Sequence, residues 1–203
     1  MTIIPFFFSV ILSVAAAQAF RTTPTVTGAP YSADQLQEYT RILENGTSTT
    51  STHVIGHFFR DSQGRTRTES ALKSSPAWRI EILDPLAGVA YVLDDKNKVA
   101  HRTHTQAAAP GQNAPPPQMT IEKLGTQMIE GVLVEGTRMS RAVPPRDGLP
   151  STFTIETWDS VELKVNMLTK SSNGYTTKLV NLRRADPDPA FFRPPAGYTI
   201  VDQ

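Results

Sequence analysis

Four turn signatures, each set between runs of β-prone residues, constrain this chain more than any other feature. Asn45-Gly46 separates residues 37–43 from a Thr/Ser-rich, β-branched run ending at Phe59. Asn-Gly is the pair a two-residue type I′ hairpin favours, because both central residues take positive φ. Asp61-Ser62-Gln63-Gly64 supplies an aspartate to accept from its own backbone and a glycine for a left-handed position. Asp94-Asp95-Lys96-Asn97 and Asn173-Gly174 repeat that chemistry further along. Short β-prone runs joined turn after turn predict an antiparallel meander.

The runs alternate with period two. Trp78, Ile80 and Ile82 oppose Arg79 and Glu81; Leu163, Val165 and Met167 oppose Lys164 and Asn166; Tyr175, Thr177 and Leu179 oppose Thr176 and Lys178. Strands with one face on a core and one in water read this way. Residues 65–70 are polar on both faces, which suggests an edge strand or one outside the core. Helical signal is confined to short turns at 33–37, 159–163 and 189–192, the last with Asp188 as cap and Pro189 at the first helical position. The expected fold is mainly β: a curved antiparallel sheet, a half-barrel-like meander with a few short helical segments.

Residues 3–14 form an apolar run followed by Ala17-Gln18-Ala19. A membrane-spanning helix needs about 20 apolar residues and this run is nearer 12, so residues 1–19 read as a signal peptide with an A-x-A cleavage site. No Lys or Arg precedes the run, leaving the α-amino group as its only positive charge. The expected product is exported, periplasmic or secreted, with no transmembrane span after cleavage. Residues 20–32 read as a mobile lead-in and 33–203 as a single β-rich domain. The Pro-rich stretch 107–117 reads as a loop within that domain, since each half alone would be too polar to bury its own core. There are no cysteines, which excludes disulfides, thiolate nucleophiles and zinc–thiolate sites. Net charge is +1, both signs scattered, so nucleic acid is a poor partner.

Candidate chemistry is sparse. His53 and His57 on one strand would share a face but lie about 13 Å apart, and His101 and His104 would point to opposite faces, so no metal site is expected. Asp84, Asp94 and Asp95 flank turns, and Glu122, Glu130 and Glu135 stand singly on strands. A carboxylate-dependent hydrolase would need two such groups about 5–10 Å apart across a cleft. Ser70-Ala71-Leu72-Lys73 matches S-x-x-K without its partner motifs, and Asn45-Gly46-Thr47 is a sequon that turn chemistry explains equally well. No catalytic residue and no cofactor is expected.

Four blocks nevertheless carry a resemblance: residues 60–67 (RDSQGRTR), 84–94 (DPLAGVAYVLD), 124–131 (LGTQMIEG) and 186–192 (DPDPAFF). Together they resemble an exported, acidobacterial-type protein family with no activity to carry over. In style the chain also resembles the unclosed β-barrel fold of periplasmic lipoprotein carriers and sorting domains, through its meander, its Ile129-Glu130-Gly131 hairpin and its ending from Asp186 to Tyr198. That second resemblance implies a concave sheet face for a lipid or acyl chain, although little helix is present to plug it. The expected function is a non-enzymatic extracytoplasmic binding protein presenting an apolar concave face, built from Trp78, Ile80, Ile82, Tyr91, Val165 and Met167, to a lipid, an acyl chain or an envelope protein. An envelope scaffold or assembly module binding through sheet edges is one alternative, and a carboxylate-dependent hydrolase is another. N-terminal sequencing of the exported product is expected to begin at Phe20; recovery of Met1 in a membrane fraction would show that cleavage does not occur.

Overall fold

A computed structural model describes residues 21–22, 25–72, 77–107, 119–146 and 149–203. The expected signal peptide and nearly all of the Pro-rich stretch lie outside the described residues. The strands are β1 (Arg21–Thr22), β2 (Tyr31–Ile42), β3 (Ser48–Arg60), β4 (Thr66–Ala71), β5 (Trp78–Asp84), β6 (Val89–Asp94) and β7 (Val99–His104). They continue as β8 (Gln106–Ala107), β9 (Thr120–Ile129), β10 (Val132–Arg146), β11 (Leu149–Ser160), β12 (Val165–Ser171), β13 (Tyr175–Arg183) and β14 (Thr199–Asp202). Twelve of them form one unclosed sheet in the order β14-β7-β6-β5-β4-β3-β2-β13-β12-β11-β10-β9, and β1 and β8 pair in parallel apart from it. The expected meander is present twice. One run goes outward from β2 to β7, the other comes inward from β9 to β13, and the β2–β13 ladder joins them. β14 then adds in parallel to β7.

The turns show how local chemistry places these ladders. The β2–β3 connection spans five residues rather than two, Ile42 facing Ser48. Only Gly46 of the Asn-Gly pair takes positive φ, at 79°, while the Asn45 carboxamide oxygen accepts from the Thr47 amide and hydroxyl at 3.1 and 2.7 Å. Among the described residues, the two-residue turn with both φ values positive is Glu130-Gly131, between β9 and β10. Asp61 acts as foreseen, its Oδ1 accepting from the amides of Gln63 and Arg65 at 3.1 and 2.9 Å with Gly64 at φ 84°.

Three expectations about the elements need correction. Residues 159–163 are not helical: they are the end of β11 and the turn that follows it. Residues 33–37 are strand, not helix: they lie in β2, which is hydrogen-bonded on both sides, by β3 and by β13. Two ladders override the local helical preference of Ala, Gln and Leu. The polar strand is not at an edge either, because β4 sits between β3 and β5. Arg67 pairs with Glu69 at 2.7 Å and its guanidinium lies 5.7 Å from the centre of the Phe191 ring. Phe191 stacks on Phe59 with ring centres 4.7 Å apart, and Arg65 lies over the buried Phe192 at 5.2 Å. Polar side chains therefore serve in the sheet interior because the 3-10 turn Pro189–Phe192 covers them with aromatic rings.

Register assigns the faces. Ala33 faces Phe58, and across the next ladders Phe58 aligns with Thr68, Glu81 and Val92. Phe59 aligns with Arg67, Ile82, Tyr91 and Arg102 on the opposite face. Tyr31, Ala33, Val134, Met167 and Leu179 form one buried cluster, with Phe58 and Trp158 packed against it. Ile82, Leu93 and Ala100 form the other, with Ile80, Tyr91 and Tyr198 packed against it. The two cores thus lie on opposite faces of one sheet.

The first core lies inside a curl. A flat sheet would put β3 and β12 roughly 14 Å apart, yet Arg60, at the end of β3, donates to the carbonyl of Leu163 in the β11–β12 turn at 2.5 Å. Close approach inside the curl depends on Gly136, where a Cβ would lie 2.6 Å from the Trp158 ring. Gly136→Ala is expected to cost about 1–3 kcal/mol by overpacking, read from urea denaturation together with a shift in tryptophan emission. Gly125→Ala has open space around its Cβ but a φ of 85°, so it should cost about 1–2 kcal/mol by backbone strain alone and leave that emission unchanged.

Candidate concave cleft

The row Tyr31, Arg60, Thr66, Leu83 crosses four adjacent strands on the concave face. Arg60, Thr66 and Leu83 form part of the wall of a cleft of about 780 Å³, completed by Thr25, Val26 and Thr27 of the lead-in and by Glu162 and Lys164 of the β11–β12 turn. The lead-in is docked there. Gly28 donates to the carbonyl of Ser62 at 2.8 Å, and Gly64 is held so close that a Cβ would sit 2.6 Å from Thr25 Cγ2.

Arg60 organises the cleft. It is buried, at 6% relative exposure. Its Nε and Nη2 donate to the carbonyl of Ala29 at 3.0 and 2.8 Å, Nη2 donates also to Leu163, and its guanidinium carbon lies 4.8 Å from the centre of the Tyr31 ring. Burial pulls its pKa below the ordinary arginine range, opposed by Tyr31, but a guanidinium stays charged in proteins. Burial also raises the Tyr31 phenol, against the pull of the Arg60 charge. Among the described residues no carboxylate forms an ion pair with Arg60. Asp61, next along the chain, pairs instead with Arg65 at 2.6 Å. Lys164, on the same wall, is exposed with φ 52°.

A second hollow, about 520 Å³, lies where β13, β2 and β3 meet, with Asp34 and Asn181 in its wall. Asp34 Oδ1 is 2.6 Å from His57 Nδ1, and its Oδ2 accepts from the Asn181 amide at 2.7 Å. The His57 ring packs against Trp78 at 4.9 Å. A histidine oriented by a carboxylate resembles two parts of a hydrolytic triad, but no serine, threonine or lysine side chain is hydrogen-bonded to the ring among the described residues. His53 and His57 do not share a face as expected. Ile55 is an extra residue in the β2–β3 ladder, so His57 opposes Asp34 while His53 opposes Gln37, on the other side. No three His, Asp or Glu side chains converge among the described residues.

The residues expected to form one apolar concave face divide between the two faces. Val165 and Met167 belong to the concave core, Met167 with no exposed surface. Trp78, Ile80, Ile82 and Tyr91 lie on the convex face, where Ile82 is buried and Ile80 and Tyr91 pack against the cluster of Ile82, Leu93 and Ala100. Trp78 is 37% exposed. Alternation fixes which residues share a face but not which face curls inward. Arg60 and Lys164 were not expected to take part, and the only sign of Arg60 was its place at the head of the first resemblance block.

No family model matches the chain, and no curated protein matches it. Solved structures similar to it include a chain of the MucA/MucB complex of Pseudomonas aeruginosa, at 13% identity and a TM-score of 0.40 over 84% of this chain. This chain spans 58% of that one. LprF from Mycobacterium bovis is similar at 11% identity and a TM-score of 0.32, over 79% of this chain and 90% of its own. A LolA superfamily protein from Nitrosomonas europaea is similar at 9% identity and a TM-score of 0.30, over 83% and 92%. Among the described residues no helix is long and apolar enough to cross a membrane.

The Asp34 carboxyl is held below the usual carboxylate range, first by the Asn181 amide and then by His57, against partial burial. Its folded pKa lies below the unfolded value, so the stability it contributes is present above about pH 3.9 and is lost as pH falls through the folded value. Asn181 has φ 54°, a conformation glycine adopts freely. Asn181→Gly should therefore remove the amide without strain, raise the Asp34 midpoint in a 13C NMR titration toward about 3.9, and flatten the loss of stability below that pH.

Proposed function

We propose that this chain is a non-enzymatic, extracytoplasmic binding protein that holds an amphiphilic ligand, a lipid or an acyl chain, in the concave cleft of its curled sheet. The observation that carries this reading is the cleft itself, whose wall mixes Leu83, Val26 and threonine methyls with the Arg60 and Lys164 cations. Ligand sites combine apolar walls with a few placed polar groups in this way. Export rests on the leader read in residues 1–19, and kinship with the exported acidobacterial-type family belongs to the same reading.

A specific observation favours a partner polypeptide as second reading. β9 is ten residues long and forms one edge of the sheet. Ile121 and Met128 on it and Leu133 beside it are 53%, 62% and 56% exposed. An edge that no described strand covers, with apolar neighbours, is suited to strand addition. Native mass spectrometry of protein purified from its own envelope should show a bound lipid mass that disappears in Leu83→Arg. Absence of any adduct from the wild type, or an adduct that Leu83→Arg leaves in place, would exclude the cleft as the lipid site. A photo-crosslinker at Thr126 that captures one defined polypeptide would favour the edge instead.

A further inference from the structure

We infer that the cleft binds an oxyanion, a carboxylate or phosphate group of its ligand, anchored between Arg60 and Lys164. This rests on the reading of the cleft as a ligand site and specifies the chemistry it recognises. The charge of Arg60 is almost fully withdrawn from water. Two main-chain carbonyls and the Tyr31 ring solvate it, but dipoles and a ring face leave the positive charge uncompensated. Buried charges are ordinarily paired, and a planar guanidinium matches carboxylate and phosphate geometry. Nε and Nη2 carry all of its hydrogen bonds among the described residues, so Nη1 is the nitrogen free to donate. Lys164 adds a second positive charge to the same wall and has no ion-pair partner among the described residues. Among the described residues the one carboxylate lining the cleft, Glu162, accepts from Arg184 and is thereby neutralised toward an incoming anion. Thr25, Thr27 and Thr66 place further hydroxyls in the cleft, and hydroxyls can donate to the remaining anion oxygens.

The test is isothermal titration calorimetry on the full exported protein with four probes: inorganic phosphate, dodecanoate, dodecyl phosphate and the neutral dodecyl maltoside. Lys164 is exposed, so Lys164→Glu should fold as the wild type does, which a thermal melt verifies. Losing a charge-assisted contact weakens binding by roughly tenfold or more. Phosphate binding that falls by that factor in Lys164→Glu supports the inference and identifies a free oxyanion as sufficient. Binding of dodecanoate and dodecyl phosphate but not phosphate, with the same loss, supports it and locates the oxyanion on a lipid. Binding of dodecyl maltoside alone, or anionic probes held equally well by Lys164→Glu, overturns the oxyanion site while leaving an amphiphile cleft standing. Phosphate binding without any amphiphile has the converse meaning, preserving the oxyanion site and removing the lipid. Failure of all four probes overturns the inference.

Discussion

The hydrogen bond from the Arg60 guanidinium to the Leu163 carbonyl is the tie on which the rest of the structure depends. It joins the end of β3 to the β11–β12 turn across two intervening strands, and the sheet must curl for it to form. The same guanidinium holds the lead-in through Ala29 and lies over Tyr31, at the start of the strand that joins the two meanders. Hydrogen bonds to a charged group contribute about 1.5–3 kcal/mol each, enough for a few such contacts to fix a curvature that strand pairing alone leaves free. The curl, the docked lead-in and the cleft between them meet at this one side chain.

A single sheet this wide, without α-helices among its described residues, has two faces to protect. The chain solves this by using opposite faces in its two halves. Around β10 to β2 the curl encloses Val134, Met167, Leu179 and Tyr31 on the concave side. From the end of β3 to β7 the C-terminal segment returns over the convex side, with Phe191 on Phe59, Phe192 under Arg65 and Tyr198 against the cluster of Ile82, Leu93 and Ala100. β14 then pairs with β7, and Arg102 and Asp202 join in two hydrogen bonds at 2.6 and 2.9 Å. With no cysteine available, the terminus is held by ladder, rings and charge rather than by a disulfide.

Much of the strand pattern was legible in the residues. The alternation of Trp78, Ile80 and Ile82 against Arg79 and Glu81 is the alternation of β5, with Arg79 and Glu81 bonded to each other at 2.7 Å on their own face. Asp61-Ser62-Gln63-Gly64 and Asn173-Gly174 became turns with their glycines at positive φ. The errors share a cause. β4 looked like an edge because its own residues are polar, and its rings come from a segment more than a hundred residues away. His53 and His57 looked coplanar because the extra residue Ile55 is visible only once the strand has a partner.

Turn residues and period-two patterning by themselves determined that this chain is a mainly antiparallel β meander, because turn chemistry and alternation are read from neighbours along the chain, and the absence of cysteine excluded disulfides. Which face of the sheet is concave, which strand lies at the edge, and where a buried arginine meets a lysine in one cleft were decided only by the tertiary structure. Those are relations between residues far apart in sequence: Arg60 is brought to Leu163 and Ala29 by strand order and curvature, and neither leaves a local trace. The candidate site was hidden for that reason, since its chemistry lies in a charge whose partners are backbone carbonyls and whose burial exists only after folding.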